Sequence, residues 1–276
     1  MIKFSVLMSI YYKEKVHHIE ECMNSLLNQT YPPSEIVIIK DGELTKELNE
    51  KLNFYKKQYP SLIKIYGYKE NRGLWYALRY GVNRCIYDLI ARMDIDDIAR
   101  LDRFEKQIEV AKKYNLENFL IGSNVYEFNE DELVSKRIMP EKNEEIIKYS
   151  KKRNPFCHPS ILTTKKAILN ANNYDNYLYC EDYDLFIKMI KNKVETYNIQ
   201  EELVYMRVND EFYYRRGGLS YLKHILRFKN SMYKRKYINL FEYLITIIPS
   251  IIVCLLPNKL RALLYKKTLR SEAKWV

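Results

Sequence analysis

Glycine and proline are scarce in this 276-residue chain, with seven and eight copies. No low-complexity tract, internal repeat or linker interrupts it, so composition excludes disorder over most of the length. Cysteines are too few and too scattered for a scaffold. Cys22, Cys85, Cys157, Cys180 and Cys254 are odd in number and lack metal-type spacing. They read as reduced thiols in a cytoplasm, each a small buried hydrophobe, and not as a disulfide framework. A secretory leader is missing too, because the apolar run of residues 1–10 is interrupted at once by Tyr11-Tyr12-Lys13-Glu14 and reads as a first strand. No apolar run reaches the roughly 20 residues of a membrane span. Acids are scarce in one place only: residues 215–276 hold 14 Lys and Arg against 2 acids, net +12, which leaves −1 for residues 1–214.

With 47% hydrophobic residues and 26 tyrosines the chain can build a sizeable core. The charge asymmetry divides it into a near-neutral body and a basic tail, and a basic tail meets something anionic, either a membrane surface or a nucleic acid.

The most informative stretch is residues 89–104. An apolar run, Leu89-Ile90-Ala91-Arg92-Met93, ends in Asp94, Asp96, Asp97 and Asp102. The run has the length of a buried strand, so its carboxylates emerge at the carboxyl end, where open α/β sheets bind ligands. By strand alternation Arg92, Asp94 and Asp96 share one face and Asp97 looks the other way. Such a pair of acids suits a hard divalent cation. Asp102 and Glu105 stand in capping-box spacing before a helix carrying Phe104, Ile108 and Ala111.

Other strand ends converge on the same crevice. Residues 16–29 have helical periodicity, and residues 35–40 form a β-branched run that stops at Asp41-Gly42. Residues 62–68 read as a third strand, followed by Asn71-Arg72-Gly73-Leu74, where Asn71 suits a helix cap and Arg72 a diphosphate contact. Residues 118–128 and 133–139 look like a hairpin. Strands alternating with helices predict an open, mostly parallel sheet with helices on both faces, its crevice holding Ser9, Tyr11, Glu14, Asp41, Arg72 and Asp94 to Asp97.

The second half adds His158, fixed between Pro155 and Pro159 and the Ser160 that follows, and the run Glu181-Asp182-Tyr183-Asp184 at the start of an apolar helix. Acids there cap free amides, yet three in four residues exceed what capping needs, and mutual repulsion suits one to act as a base. A strand over residues 203–208 leads to Arg215 and Arg216 on a glycine-hinged loop that can close over phosphate oxygens.

In this order, Ser5-Val6-Leu7-Met8-Ser9-Ile10-Tyr11-Tyr12, Lys40-Asp41-Gly42, Asn71-Arg72-Gly73-Leu74, Ala91-Arg92-Met93-Asp94-Ile95-Asp96-Asp97, His158-Pro159-Ser160 and Glu181-Asp182 resemble the family 2 glycosyltransferases of bacterial surface polysaccharide assembly, in particular capsule and amylovoran-type galactosyltransferases. The likeness covers residues 2–227 and implies the A-type nucleotide-sugar-binding fold. It also implies roles. Ser9, Tyr11 and Asp41 would hold the uracil and ribose of a UDP-sugar, while Asp94 and Asp96 would match the Asp-x-Asp motif for Mn²⁺ or Mg²⁺. Asp182 would be the general base, and Glu181 and His158 would place the acceptor. One displacement would then invert the anomeric centre without a covalent intermediate. Processive synthases of this superfamily carry Gln/Arg-x-x-Arg-Trp after the base, whereas this chain reads Tyr214-Arg215-Arg216-Gly217-Gly218 with tryptophan only at positions 75 and 275, which points to addition of one sugar.

The chain is expected to divide into a catalytic part, residues 1–218, and a tail, residues 219–276. Within the tail, residues 243–258 are charge-free and flanked on both sides by basic clusters. That pattern favours helices lying on the anionic inner face of the cell membrane over a crossing, near a polyprenyl-diphosphate-linked glycan acceptor. The alternative is an apolar helix docked on the catalytic part or on a second copy in a homodimer. Two other classes compete: a nucleic-acid binder using the basic tail, which the apolar core of that tail argues against, and a silent nucleotide-binding homologue, which the intact acids argue against.

Overall fold

The computed structural model describes residues 1–130, 132–208, 217–257 and 260–261. In chain order the first half runs β1 (Phe4–Ile10), α1 (Val16–Leu27), β2 (Glu35–Asp41), α2 (Lys46–Gln58), β3 (Ile63–Tyr68), α3 (Leu74–Val82) and β4 (Leu89–Arg92). Each strand is followed by a helix that returns the chain for a parallel neighbour, and β1 pairs with β2 and β4, and β2 with β3, all parallel. Alternate side chains of these strands bury on opposite faces. Leu7, Val37 and Ile39 pack with Ala77, Leu78 and Val82 of α3. Val6, Met8, Ile36 and Ile38 share a cluster with Ile19 and Met23 of α1 and Leu48 and Leu52 of α2. Runs too apolar for a half-exposed strand are the expected result of covering both faces.

The second half runs β5 (Ile98–Ala99), α4 (Arg103–Lys112), β6 (Phe119–Phe128), β7 (Leu133–Arg137), α5 (Asn143–Ser150), a single 3₁₀ turn (His158–Ser160), β8 (Leu162–Thr164), α6 (Lys165–Asn170), α7 (Glu181–Lys191), β9 (Glu195–Arg207), α8 (Gly218–Lys234) and α9 (Leu240–Leu255). The nine strands form one sheet in the order β3-β2-β1-β4-β8-β6-β9-β5, with β7 on β6. The sheet is parallel through β3-β2-β1-β4 and mixed beyond, because β8 is antiparallel to both β4 and β6. The expected parallel order holds from β3 to β4 and between β6 and β9, and antiparallel pairs enter at β8, β7 and β5. The β6–β7 hairpin forms as expected, while β9 extends well ahead of residue 203 and pairs in parallel with the whole length of β6.

The order of strand addition reverses between β1 and β4. After β1 the order proceeds outward to β2 and β3, then returns to the other side of β1, which opens a crevice beyond the carboxyl ends of β1 and β4. Helix α7 lies between two cores. Leu185, Phe186 and Met189 face the sheet, and Tyr183 and Ile187 face Phe228, Met232 and Ile238 of the α8 region. The first tail helix therefore shares a core with the body.

Candidate active site

At the end of β2, Asp41 is buried, and its carboxylate is fully engaged. Oδ1 accepts from the Tyr68 hydroxyl and the Arg72 amide, each at 2.8 Å, and Oδ2 from the Gly73 amide at 2.9 Å. Asp41, not Asn71, thus holds the start of α3. The Asn71 side chain instead donates to the Asp41 carbonyl at 3.1 Å. Gly42 has φ +89°, and a Cβ there would come 2.7 Å from the Asn71 nitrogen, so this turn needs glycine. The Arg72 guanidinium lies 3.7 Å from the centre of the Tyr76 ring. Ser9 is half-buried in β1, and Tyr11 packs edge-on against Tyr12 just beyond the strand end.

β4 ends at Arg92, and the alternation of faces ends with it. Asp97 consequently does not look away: carboxylate oxygens of Asp94, Asp96 and Asp97 all lie within 4.8 Å of one another. The buried Arg92 guanidinium pairs with Asp94. Asp97 is 1% exposed; its Oδ1 accepts from the Arg207 amide at 2.7 Å, and its Oδ2 has no hydrogen-bond partner among the described residues. Burial, then the charges of Asp94 and Glu14, pushes the Asp96 carboxyl up to about 7. Burial, then the charges of Asp96 and Asp94, raises Asp97 well above the usual carboxylate range. Three crowded carboxylates and an unpartnered buried oxygen fit a hard divalent cation such as Mn²⁺ or Mg²⁺.

Glu130, in the β6–β7 turn, forms a second cluster with His17 and His18. Lys15 at 3.0 Å and Arg207 at 3.2 Å also hold it, making it a hub of ion pairs. Hydrogen bonds from Lys15 and His18 keep its carboxyl down to about 2. Arg207 pairs with Glu21 as well, and its Nε donates to the Asp96 carbonyl at 2.9 Å.

The second acid group opens α7. Asp182 Oδ2 accepts from the Asn154 side chain and Oδ1 from the Tyr183 amide, both at 2.7 Å. Burial raises the Asp182 carboxyl, and those two hydrogen bonds oppose the rise. Burial and then the Asp182 charge push Glu181 up to about 8. Repulsion within the pair favours a proton on Glu181, and the Asn154 and Tyr183 hydrogen bonds favour the charged form of Asp182. The third acid of the run, Asp184, is fully buried and bridges Lys188 at 2.9 Å and Arg235 at 2.7 Å, so it ties α7 to α8.

His158 is buried, with Nε2 2.9 Å from the Tyr174 hydroxyl. Burial and the charge of Arg92 keep it neutral, well below its ordinary range. The Arg92 charge acts on Glu181 and Asp182 as well as on its partner Asp94, so one buried cation influences both acid groups. Arg215 lies outside the described residues. Asn154 and Glu130 are the residues that the sequence did not single out. Their partners stand 28 or more positions away, and neither has a local signature. Asp102 supplies no side-chain cap to α4. It accepts from Arg100 at 2.6 Å, while Glu105 accepts from Thr30 at 2.8 Å, so both members of the expected box are engaged elsewhere.

Comparison with known proteins gives this geometry a context. The profile of Glycosyl transferase family 2 matches residues 5–177. The chain is 38% identical over 271 residues to a UDP-Gal:alpha-D-GlcNAc-diphosphoundecaprenol beta-1,3-galactosyltransferase of Escherichia coli, covering 97% of each. It is 34% identical over 220 residues to the amylovoran biosynthesis glycosyltransferase AmsE of Erwinia amylovora, covering 80% of this chain and 82% of that one. Among solved structures, the mannosyltransferase PcManGT from Pyrobaculum calidifontis in complex with GDP-Man and Mn²⁺ has a TM-score of 0.65 at 12% identity, covering 94% of this chain and 71% of that one. That likeness is one of fold, the A-type nucleotide-sugar-binding architecture. With the profile spanning more than half of the residues and a relative similar almost end to end, the chain belongs to glycosyltransferase family 2.

Proposed function

We propose that the protein moves one hexose, galactose before others, from a UDP-sugar to a polyprenyl-diphosphate-linked glycan, inverting the anomeric configuration. The observation that carries this reading is the presence of two part-buried acid groups, one at the mouth of β4 and one at the start of α7, both under the charge of the buried Arg92. The identity to the Escherichia coli galactosyltransferase supports the choice of donor and acceptor.

Ser9, Tyr11 and Asp41 border the nucleotide, Asp41 acting through the α3 start that it fixes. The Arg72 guanidinium favours the diphosphate, the Arg72 and Gly73 amides being taken by Asp41. Asp94 and Asp96, with Asp97 beside them, would hold Mn²⁺ or Mg²⁺, which when bound supplies positive charge for the departing diphosphate. Asp182, held by the Asn154 and Tyr183 hydrogen bonds that favour its charged form, takes the proton from the acceptor hydroxyl as that oxygen attacks. A base opposite the leaving group needs no enzyme nucleophile, and a single displacement inverts. His158, neutral and held by Tyr174, shapes the wall on the acceptor side.

The membrane part of the reading rests on α9. Phe241, Ile245, Ile248, Ile252 and Leu255 are 41–70% exposed along one side of it, and basic residues precede it on α8. No helix among the described residues is long and apolar enough to cross a membrane, so contact would be along the surface.

The deciding experiment compares two variants with a UDP-sugar, Mn²⁺ and a lipid-diphosphate acceptor. Asp182→Asn is expected to lower transfer by about 10²-fold or more with UDP affinity nearly intact, the scale of a lost general base. Asp96→Ala should weaken Mn²⁺-dependent UDP binding itself. Near wild-type turnover in Asp182→Asn would reject the base assignment.

A further inference from the structure

A groove of about 740 Å³ runs along α8, and none of its lining residues belongs to either acid group. Residues Leu219, Leu222, Leu226, Lys223, Arg227 and Lys234 repeat at helical spacing along it, giving one wall that is both aliphatic and cationic. No acid lines the groove. Arg235 at its end is held by Asp184, whereas Lys223, Arg227 and Lys234 are exposed and have no carboxylate partner among the described residues.

The opposite wall is Tyr177. Its hydroxyl donates to Ser231 at 2.8 Å, and the Arg227 guanidinium lies 5.5 Å from its ring centre. Three residues on, the Cys180 amide bonds the Tyr177 carbonyl at 2.7 Å, closing the turn from which Glu181 and Asp182 begin α7. The groove and the base are therefore two sides of one turn. α9, with its exposed apolar side, packs antiparallel on the same α8 through Tyr243, whose hydroxyl bonds Asn230 in the groove lining.

Cations without a carboxylate partner over leucines, by the base-bearing turn and beside an apolar helix, suit a diphosphate carrying a hydrocarbon chain. We infer that this groove binds the diphosphate of the acceptor's lipid carrier, through Lys223, Arg227 and Lys234, and so sets the acceptor sugar at Asp182. The inference rests on the lipid-linked acceptor of the proposed function. A diphosphate held there by three cations fixes one end of the acceptor, and the sugar beyond it has a short way to the base-bearing turn.

The test uses the full chain and the double variant Lys223→Gln/Arg227→Gln, both positions exposed and outside the cores. Direct calorimetric binding of a short-chain alkyl diphosphate should weaken by about tenfold or more, while UDP affinity and Tm stay unchanged. With GlcNAc-diphosphate on a short alkyl chain the acceptor KM should rise by a similar factor at near-constant kcat. Arg227→Lys should recover part of that loss, and a phosphate-free alkyl glycoside should show no difference between wild type and variant. Equal alkyl diphosphate affinity in wild type and variant overturns the inference. So does a variant that loses only its binding to phosphatidylglycerol vesicles, which would assign the cations to bulk headgroups. If wild type binds UDP and alkyl diphosphate yet transfers to neither acceptor, the acceptor of the proposed function fails while the groove stands.

Discussion

Asp97 Oδ2 and the crowded carboxyl of Asp96 are the residue-scale mark of a cation site. A carboxyl shifted from about 4 to about 7 retains a proton in the folded chain that the unfolded chain has released. Metal-free stability should therefore fall as pH rises from about 4 through about 7, and Glu181, pushed up to about 8, prolongs the fall, because the unfolded state binds fewer protons across that window. Mn²⁺ requires the ionised form, so the rise in Tm on adding Mn²⁺ should be small at pH 6 and larger at pH 8. Thermal unfolding with and without Mn²⁺ across that range measures it, and a pH-independent rise would reject the site. The acids themselves were legible, since Asp94 and Asp96 follow an apolar run with no other use for them. Their geometry was less so. Face alternation holds only while the backbone is extended, and it stops at Arg92, which is why Asp97 joins the cluster. The bonds of Asp41 to residues 31 and 32 positions away depend on the folded turn and leave no trace in local pattern.

Among elements, α9 shows how a helix can be locally well specified and still lack a partner. Asn239 and Glu242 form a reciprocal cap at its start, and the helix continues through Pro249 to Leu255. Its buried positions, Thr246, Ile247 and Cys254, cover one side, and the apolar opposite side faces outward. Replacing Phe241 and Ile248 together, as Phe241→Ser/Ile248→Asp, should lower binding to phosphatidylglycerol vesicles by about tenfold or more in a flotation assay. Unchanged flotation together with a loss of self-association in sedimentation would instead assign that side to a second copy. Periodicity located α1, α3, α4 and α7 because each has a continuous apolar stripe. It did not locate α2, which buries only Leu48, Leu52 and Tyr55 among charged residues. The first half of β9 alternates polar and apolar residues, and its length follows from pairing with β6, a partner far away in sequence.

At the scale of the whole molecule, α8 is bound into the body through Phe228, Met232 and Ile238 against Cys180, Tyr183 and Ile187, and through the Arg235–Asp184 ion pair. Phe228→Ala should cost about 3–5 kcal/mol, which for a chain of this size lowers Tm by roughly 6–12 °C. Thermal unfolding checks this, and a shift below about 2 °C would mean that α8 is only loosely attached. The layered α/β architecture was readable from the alternation of strands and helices. The reversal of strand direction at β8 was not, because three residues between a 3₁₀ turn and a short helix carry no directional signal.

The order of residues along the chain has a consequence for inheritance. Among the described residues, the groups proposed for the nucleotide and the cation lie before residue 98, and the base, its Asn154 partner and the lipid-carrier groove lie after residue 153, with Arg207 reaching back from β9 to Asp96 and Asp97. Recombination between two related genes in the stretch after α4 would exchange the acceptor side and keep the donor side intact. A lineage could diversify the glycans it builds without remaking its use of the nucleotide, provided an arginine is retained at the end of β9.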